Sequence, residues 1–256
     1  MKKTVVLYPG LAVSHLVPVV QLADALLEEG YAVVVALIDI SNEQNIDFAA
    51  AVDRAAASKP SVTFHTLPRI KDPPSIAYDA RFILRYFALV RRYNKHLGEL
   101  LCSLPPGSVH AVIVDALSNE AIDVTREMGI PAYRLHLLRL ECFRPRRITP
   151  ALLDPYGGSA KLQGARRLPS RLVRCPRPVP ASRLFHEFLE DPKSEIYQAM
   201  VSSFRKNLEA NGMLVNAFAL LDARDIVKGN VERPETAFRG WERETLFSFP
   251  QCKSSS

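Results

Sequence analysis

The chain has little cysteine and almost no tryptophan: four and one in 256 residues. Cys102, Cys142, Cys175 and Cys252 stand far apart and form no Cys-x-x-Cys pair, which argues against a zinc site and against a disulfide framework. No apolar run reaches the ~18 residues of a membrane-spanning helix, so no membrane span is expected. The first strand-to-helix turn lacks Gly-x-Gly-x-x-Gly. It reads GLAVSH, with Gly10 alone, so a dinucleotide cofactor is not expected there. Ser14 has no nucleophile-elbow pattern around it. The amino terminus, MKKTVVLYPG, shares only its two lysines with a signal peptide. Its apolar stretch is short and meets Pro9-Gly10, so a cytoplasmic protein is expected.

Charge is unevenly spread. The formal net charge is +6, but the window Arg134–Arg183 holds 12 Lys+Arg against two acids, Glu141 and Asp154. The remainder has 21 basic and 25 acidic residues. One window therefore carries the whole positive excess. It has no regularly interleaved aromatics and no nucleic-acid-binding motif, so no nucleic-acid partner is expected, although a polyanion site in this window is the rival reading.

What is present is an alternation of strand and helix patterns. Thr4–Tyr8 is a short apolar run ended by Pro9-Gly10, a buried strand. Leu16–Glu28 has a helical period, with Pro18 in its first turn and Gly30 as its stop. Tyr31–Ile38 reads as a strand, Asn42–Ala57 as a helix and Val62–Leu67 as a third strand. Ser75–Leu104 is the longest helical pattern, ended by Pro105-Pro106-Gly107. Ala111–Val114 is a fourth strand ending at Asp115, Asn119–Met128 a helix, and Ile130 begins a fifth strand. Strands apolar on both faces that alternate with helices predict an α/β domain, a doubly wound parallel sheet. From Arg134 to about residue 181 the pattern is irregular and basic. Order returns with a helix over Ser194–Ala210 and a strand over Met213–Phe218. Residues 1–228 are thus one domain, and 229–256 an irregular tail.

Two residues carry chemistry. In open α/β sheets ligands bind beyond the carboxyl ends of the strands, where strand order reverses. His15 stands just past the first strand and Asp115 at the end of the fourth. An imidazole oriented by a carboxylate can accept a proton from a substrate hydroxyl. Plainer readings stay open: a histidine bonded to nearby backbone at a helix start, and an aspartate capping the next helix. The remaining histidines have no comparable setting.

Three segments resemble the plant family 1 UDP-glycosyltransferases. YPGLAVSHLVPVVQLADALLEEGYAVVVAL is similar to their N-terminal signature, including its His-x-x-Pro. VIVDALSNEAIDVTREMGIPAY resembles the segment around their catalytic aspartate. EFLEDPKSEIYQAMVSSFRKNLEANGMLVNAFALLDARDI resembles the helix and strand that close their N-terminal domain. The resemblance implies a GT-B fold, of which this chain matches the Rossmann-like acceptor domain and lacks the second domain. It implies His15 as general base, Asp115 as its partner, and Val13, Phe82, Tyr86 and Leu117 as acceptor-pocket residues. It implies inverting sugar transfer from a UDP-sugar to a phenolic or flavonoid-like acceptor. The UDP-sugar would be a co-substrate rather than a cofactor, bound only if a C-terminal domain is supplied. Neither a cofactor nor a metal is implied.

The chain departs from the family in three places. Ser14 replaces the usual glycine before the histidine. After Pro131-Ala132-Tyr133 the text becomes RLHLLRLECFRPRRITP, so roughly 134–174 is expected to be read in a shifted frame or otherwise altered. The donor-binding signature box is absent, so a truncated and by itself nearly inactive chain is expected. A non-catalytic small-molecule- or partner-binding module derived from such an enzyme is the alternative.

Overall fold

The computed structural model describes residues 2–39, 46–76, 79–136, 167–168, 179–180, 186–206 and 209–215. Its centre is a six-stranded parallel sheet. In chain order the strands are β1 (Thr4–Tyr8), β2 (Ala32–Leu37), β3 (Val62–Thr66), β4 (Val109–Asp115), β5 (Ala132–His136) and, after the short antiparallel pair β6 (Arg167–Leu168) and β7 (Val179–Pro180), β8 (Gly212–Val215). The spatial order is β3-β2-β1-β4-β5-β8. The helices are α1 (Val13–Glu28), α2 (Ile46–Ser58), α3 (Phe82–Ser103), α4 (Ile122–Glu127) and α5 (Glu195–Lys206). α1 packs with α2, while α3, α4 and α5 pack with one another. Right-handed crossovers running outward from β1 in both directions set these two groups on opposite faces.

Burial explains the strand compositions. β1 is buried throughout, and β2 and β4 are buried over most of their length, because both faces are covered by helices. β3 ends the sheet and alternates instead, with Val62 inward and Thr63 and His65 exposed. Register is continuous from Val5↔Val33 through Val5↔Ala111 to Val112↔Ala132 and Tyr133↔Gly212.

Several boundaries differ from the sequence expectation. α1 begins at Val13, three residues before Leu16, so Pro18 lies in its second turn and not its first. Proline has no N–H, so the Ser14 carbonyl lacks its usual helical donor there. α3 begins at Phe82 and not at Ser75. Pro73-Pro74 disfavour helix, and Asp79 organises a turn instead. Its Oδ1 accepts from the Arg81 backbone N–H at 2.8 Å and from Arg85 Nη2 at 2.6 Å. Arg92 ties the preceding loop to α3 by donating to the carbonyls of Lys71 and Asp72. The expected helix from Asn119 begins as a 3-10 turn, Asn119–Ala121, and becomes α4. Most of the irregular basic window, the expected altered segment beyond His136, residues 216–228 of the domain and the 229–256 tail lie outside the described residues.

The late helix α5 is locked to α3 through Glu120. This carboxylate has only 2% side-chain exposure and accepts from Arg91 Nε and Lys206 Nζ, each at 3.0 Å. Lys206 also meets Asp123. Asn119 Nδ2 donates to Ser203 Oγ at 3.2 Å. Glu120→Ala removes the acceptor at the junction of α3, α4 and α5. Equilibrium urea unfolding is expected to show a loss of about 1–2 kcal/mol, since the charge-assisted bonds to Glu120 are lost while Lys206 keeps Asp123 and the exposed Arg91 regains water.

Candidate active site

The reversal of strand order falls between β1 and β4, with β2 and β3 on one side and β5 and β8 on the other. The carboxyl ends of β1 and β4 therefore open onto one crevice. β1 hands the chain to α1 through Pro9-Gly10-Leu11-Ala12, and His15 comes from the first turn of α1. Asp115 is the last residue of β4.

The two side chains meet there. His15 Nδ1 lies 2.9 Å from Asp115 Oδ2. Asp115 is wholly buried as a side chain, whereas His15 keeps 24% of its side chain exposed. The carboxylate has a second anchor: its Oδ1 accepts the Leu117 backbone N–H at 2.9 Å. A fixed carboxylate on Nδ1 selects the tautomer with the proton on that nitrogen, leaving Nε2 as the acceptor. Two influences compete on the imidazole. Burial, the largest, pulls its pKa down; the hydrogen bond and the charge of Asp115 push it up and prevail, so the net shift is upward from the ordinary value.

Gly10 makes this approach possible. A Cβ at that position would lie 2.9 Å from Asp115 Oδ1 and 3.2 Å from both His15 Nδ1 and Tyr86 Oη. Three polar groups from α1, β4 and α3 thus converge on one α-carbon.

The other residues singled out in the sequence lie near the same rim. Val13 opens α1 and is half-buried. Leu117 follows Asp115 by two positions and is half-buried. Phe82 opens α3, half-buried, its ring 5.6 Å from that of Tyr86. Tyr86 is 2% exposed, and its hydroxyl accepts the Leu11 backbone N–H at 3.1 Å. Among the described residues, no group of three or more His, Cys, Asp or Glu side chains is placed to hold a metal ion, and no helix is long and apolar enough to cross a membrane.

Arg134 escaped the sequence reading as a site neighbour. It sits on β5 opposite Val114, one position before the level of Asp115. It is 2% exposed, its guanidinium carbon 5.6 Å from the Phe204 ring centroid. Among the described residues, Nε and Nη1 have no hydrogen-bond partner. Burial lowers its pKa to about 10, opposed by the charge of Asp115. An arginine beginning a basic window was the only available signal, and periodicity places that residue in a strand without revealing its neighbours.

Two outcomes follow from this electrostatic layout. In Asp115→Asn the burial remains while the charge is removed and the hydrogen bond weakened. The His15 titration followed by NMR should then have its midpoint below the ordinary imidazole value, where the unaltered chain titrates above it. Arg134→Met replaces a buried, incompletely bonded cation by an apolar chain of similar length. Chemical denaturation should show a gain of about 1–3 kcal/mol.

No protein-family model matches the chain. Curated relatives do. The anthocyanidin 5,3-O-glucosyltransferase of a Rosa hybrid cultivar is 25% identical over 244 residues, covering 86% of this chain and 47% of the relative. Among solved structures, a UDP-glucosyltransferase of Polygonum tinctorium, capable of glucosylating indoxyl and solved with 3,4-dichloroaniline, superposes with a TM-score of 0.70 at 20% identity, over 91% of this chain and 51% of that one. UGT71G1 of Medicago truncatula, complexed with UDP-glucose, gives a TM-score of 0.65 at 19% identity, over 88% and 48%. The structural matches establish the fold, a Rossmann-like parallel-sheet domain of GT-B type. The chain spans about half the length of the relatives it matches. Sequence relatives and fold neighbours agree: over most of its length the chain is similar to the plant UDP-glycosyltransferases, in a manner consistent with their N-terminal half.

Proposed function

We propose that this chain supplies the acceptor side of an inverting glycosyl transfer, from a UDP-sugar to a hydroxyl of a phenolic, flavonoid-like acceptor. The observation that carries the reading is the 2.9 Å contact between His15 and Asp115 at the strand-order reversal. A base at a sheet rim, oriented by a buried carboxylate, suits the removal of a hydroxyl proton. The names of its relatives support the acceptor and donor classes, since one is called an anthocyanidin glucosyltransferase and another was solved with UDP-glucose.

In this reading His15 Nε2 takes the proton as the acceptor O–H bond breaks. The acceptor oxygen forms a new bond to the anomeric carbon from the face opposite the leaving group. The bond from that carbon to the UDP oxygen breaks and its electron pair leaves with UDP. Asp115 stabilises the imidazolium that results. Val13, Phe82, Tyr86 and Leu117 make up the acceptor-side wall. The UDP-sugar is held chiefly by a donor-binding half such as the relatives have beyond the matched residues, so residues 1–256 by themselves are nearly inactive. A cytoplasmic location belongs to the same proposal, on the widely spaced cysteines.

Calorimetry with a panel of phenols and UDP-glucose tests the acceptor role. A phenol should bind the chain alone, and transfer should require an added donor-binding half from a relative. His15→Ala should lower that transfer by about 10²- to 10⁴-fold. Transfer indifferent to His15→Ala would overturn the mechanism. Phenol binding without transfer under any donor half would favour the non-catalytic binding module instead.

A further inference from the structure

This inference rests on His15 and Asp115 acting as base and partner. The start of α1 is closed by its own backbone, the Ala12 carbonyl accepting the N–H groups of His15 at 2.9 Å and Leu16 at 3.0 Å, but no side chain in the β1–α1 turn caps it. Ala12 is the N-cap and offers no side-chain acceptor, and the first turn contains no acidic residue. Helices ordinarily gain their entry geometry from a capping side chain. Here His15 stands in that uncapped first turn, so the placement of its ring depends on whatever else holds the turn.

The tie from outside the turn comes from α3, across the rim. Leu11 is 5% exposed, and its N–H donates to Tyr86 Oη at 3.1 Å, a contact spanning 75 positions. Tyr86 is itself 2% exposed, on a helix anchored in the core by Ile83, Phe87 and Val90. The phenol is therefore a rigid post. Its oxygen also lies 3.2 Å from the position a Gly10 Cβ would take, the same point that approaches Asp115 Oδ1 and His15 Nδ1. The hydroxyl thus touches the turn on the stretch that connects β1 to the imidazole.

We infer that Tyr86 is a positioning residue: its buried hydroxyl pins the β1–α1 turn through Leu11 and so sets where the His15 ring stands against Asp115. It acts through the backbone and not by receiving the substrate proton. The titratable groups around this arrangement are Asp115 on β4, Tyr8 on β1, Tyr93 on α3 and Arg134 on β5. Tyr8, fully buried and next to Tyr86 and Tyr93, has its pKa held well above the ordinary phenol value by that burial and then by those two phenols. Tyr8 therefore stays uncharged where His15 titrates.

Tyr86→Phe keeps the ring and removes the oxygen. With the fold retained, the Leu11 amide should exchange with solvent about tenfold faster or more, as an opened hydrogen bond does. The His15 midpoint should fall, because a loosened turn weakens the Asp115 contact that raises it. In an assembly active for transfer, kcat should drop about tenfold, the signature of lost transition-state geometry. A folded Tyr86→Phe with unchanged Leu11 exchange and an unchanged His15 midpoint would overturn the inference. Should that variant fail to fold, Leu11 exchange in the unaltered chain decides. Protection like that of the β1 amides supports the pin, and exchange as fast as at exposed Ser14 refutes it. Both NMR readouts are independent of glycosyl transfer. His15-dependent transfer with no Tyr86 effect would sink this inference alone; absent transfer with both shifts present would sink only the functional reading.

Discussion

β1 and β4 pair in parallel, and the chain leaves them in opposite directions: toward β2 and β3 on one side, toward β5 and β8 on the other. With helices covering both faces, the space above this one junction is left unfilled by a crossover. Residues 100 positions apart become neighbours only because Tyr8 aligns with Val114. Every feature of the rim inherits that register. Asp115 stands one step above Val114, Gly10 two steps above Tyr8, and α1 must start close enough for the imidazole to reach back. The side chain that would obstruct this is the one glycine omits.

The energetics of the rim are a contest between solvent exclusion and charge. A wholly buried carboxylate is tolerable because it is bonded twice, to His15 and to the Leu117 N–H. Its charge lifts the imidazole pKa against the opposing pull of burial. The sign has a consequence for folding as well as for chemistry. A histidine whose pKa is raised in the folded state adds stability fully below its unfolded pKa. That contribution fades as pH climbs through the raised folded value. The base, by contrast, is competent only above that value, when Nε2 is unprotonated. The pair therefore supports the fold most strongly where it is least able to accept a proton.

Much of this architecture is legible in the sequence, for reasons that differ by element. β1, β2 and β4 announce themselves because burial on both faces demands continuous apolar runs. Helix starts are harder to read. α1 has no capping side chain at Ala12, so nothing in the text marks Val13 as its beginning. The start of α3 depends on Asp79 folding back on Arg81 and Arg85, a local competition that an amphipathic pattern does not record. At the rim, strand-end positions mark His15 and Asp115 as candidates, but contact requires the strand order. Tyr86 reads simply as one more member of an apolar helical face. That its single oxygen meets a backbone N–H follows only from the three-dimensional register. Arg134 runs against the logic of its strand: a charged residue where β5 turns toward the aromatic cluster of Phe188, Tyr197 and Phe204.

The sheet is also completed out of order. β5 pairs with β4 on one edge, but its other edge is filled by β8, and residues 137–211 must be synthesised in between. At roughly 5–20 residues per second, β5 waits on the order of ten seconds with an open row of peptide groups. A nascent chain in that interval presents an adhesive border to any extended segment nearby. Closing so long a loop is entropically slow. Among the described strands, β8 is thus the one most easily replaced by a stranger during translation, and the salt bridges of the helix just before it narrow where it can land.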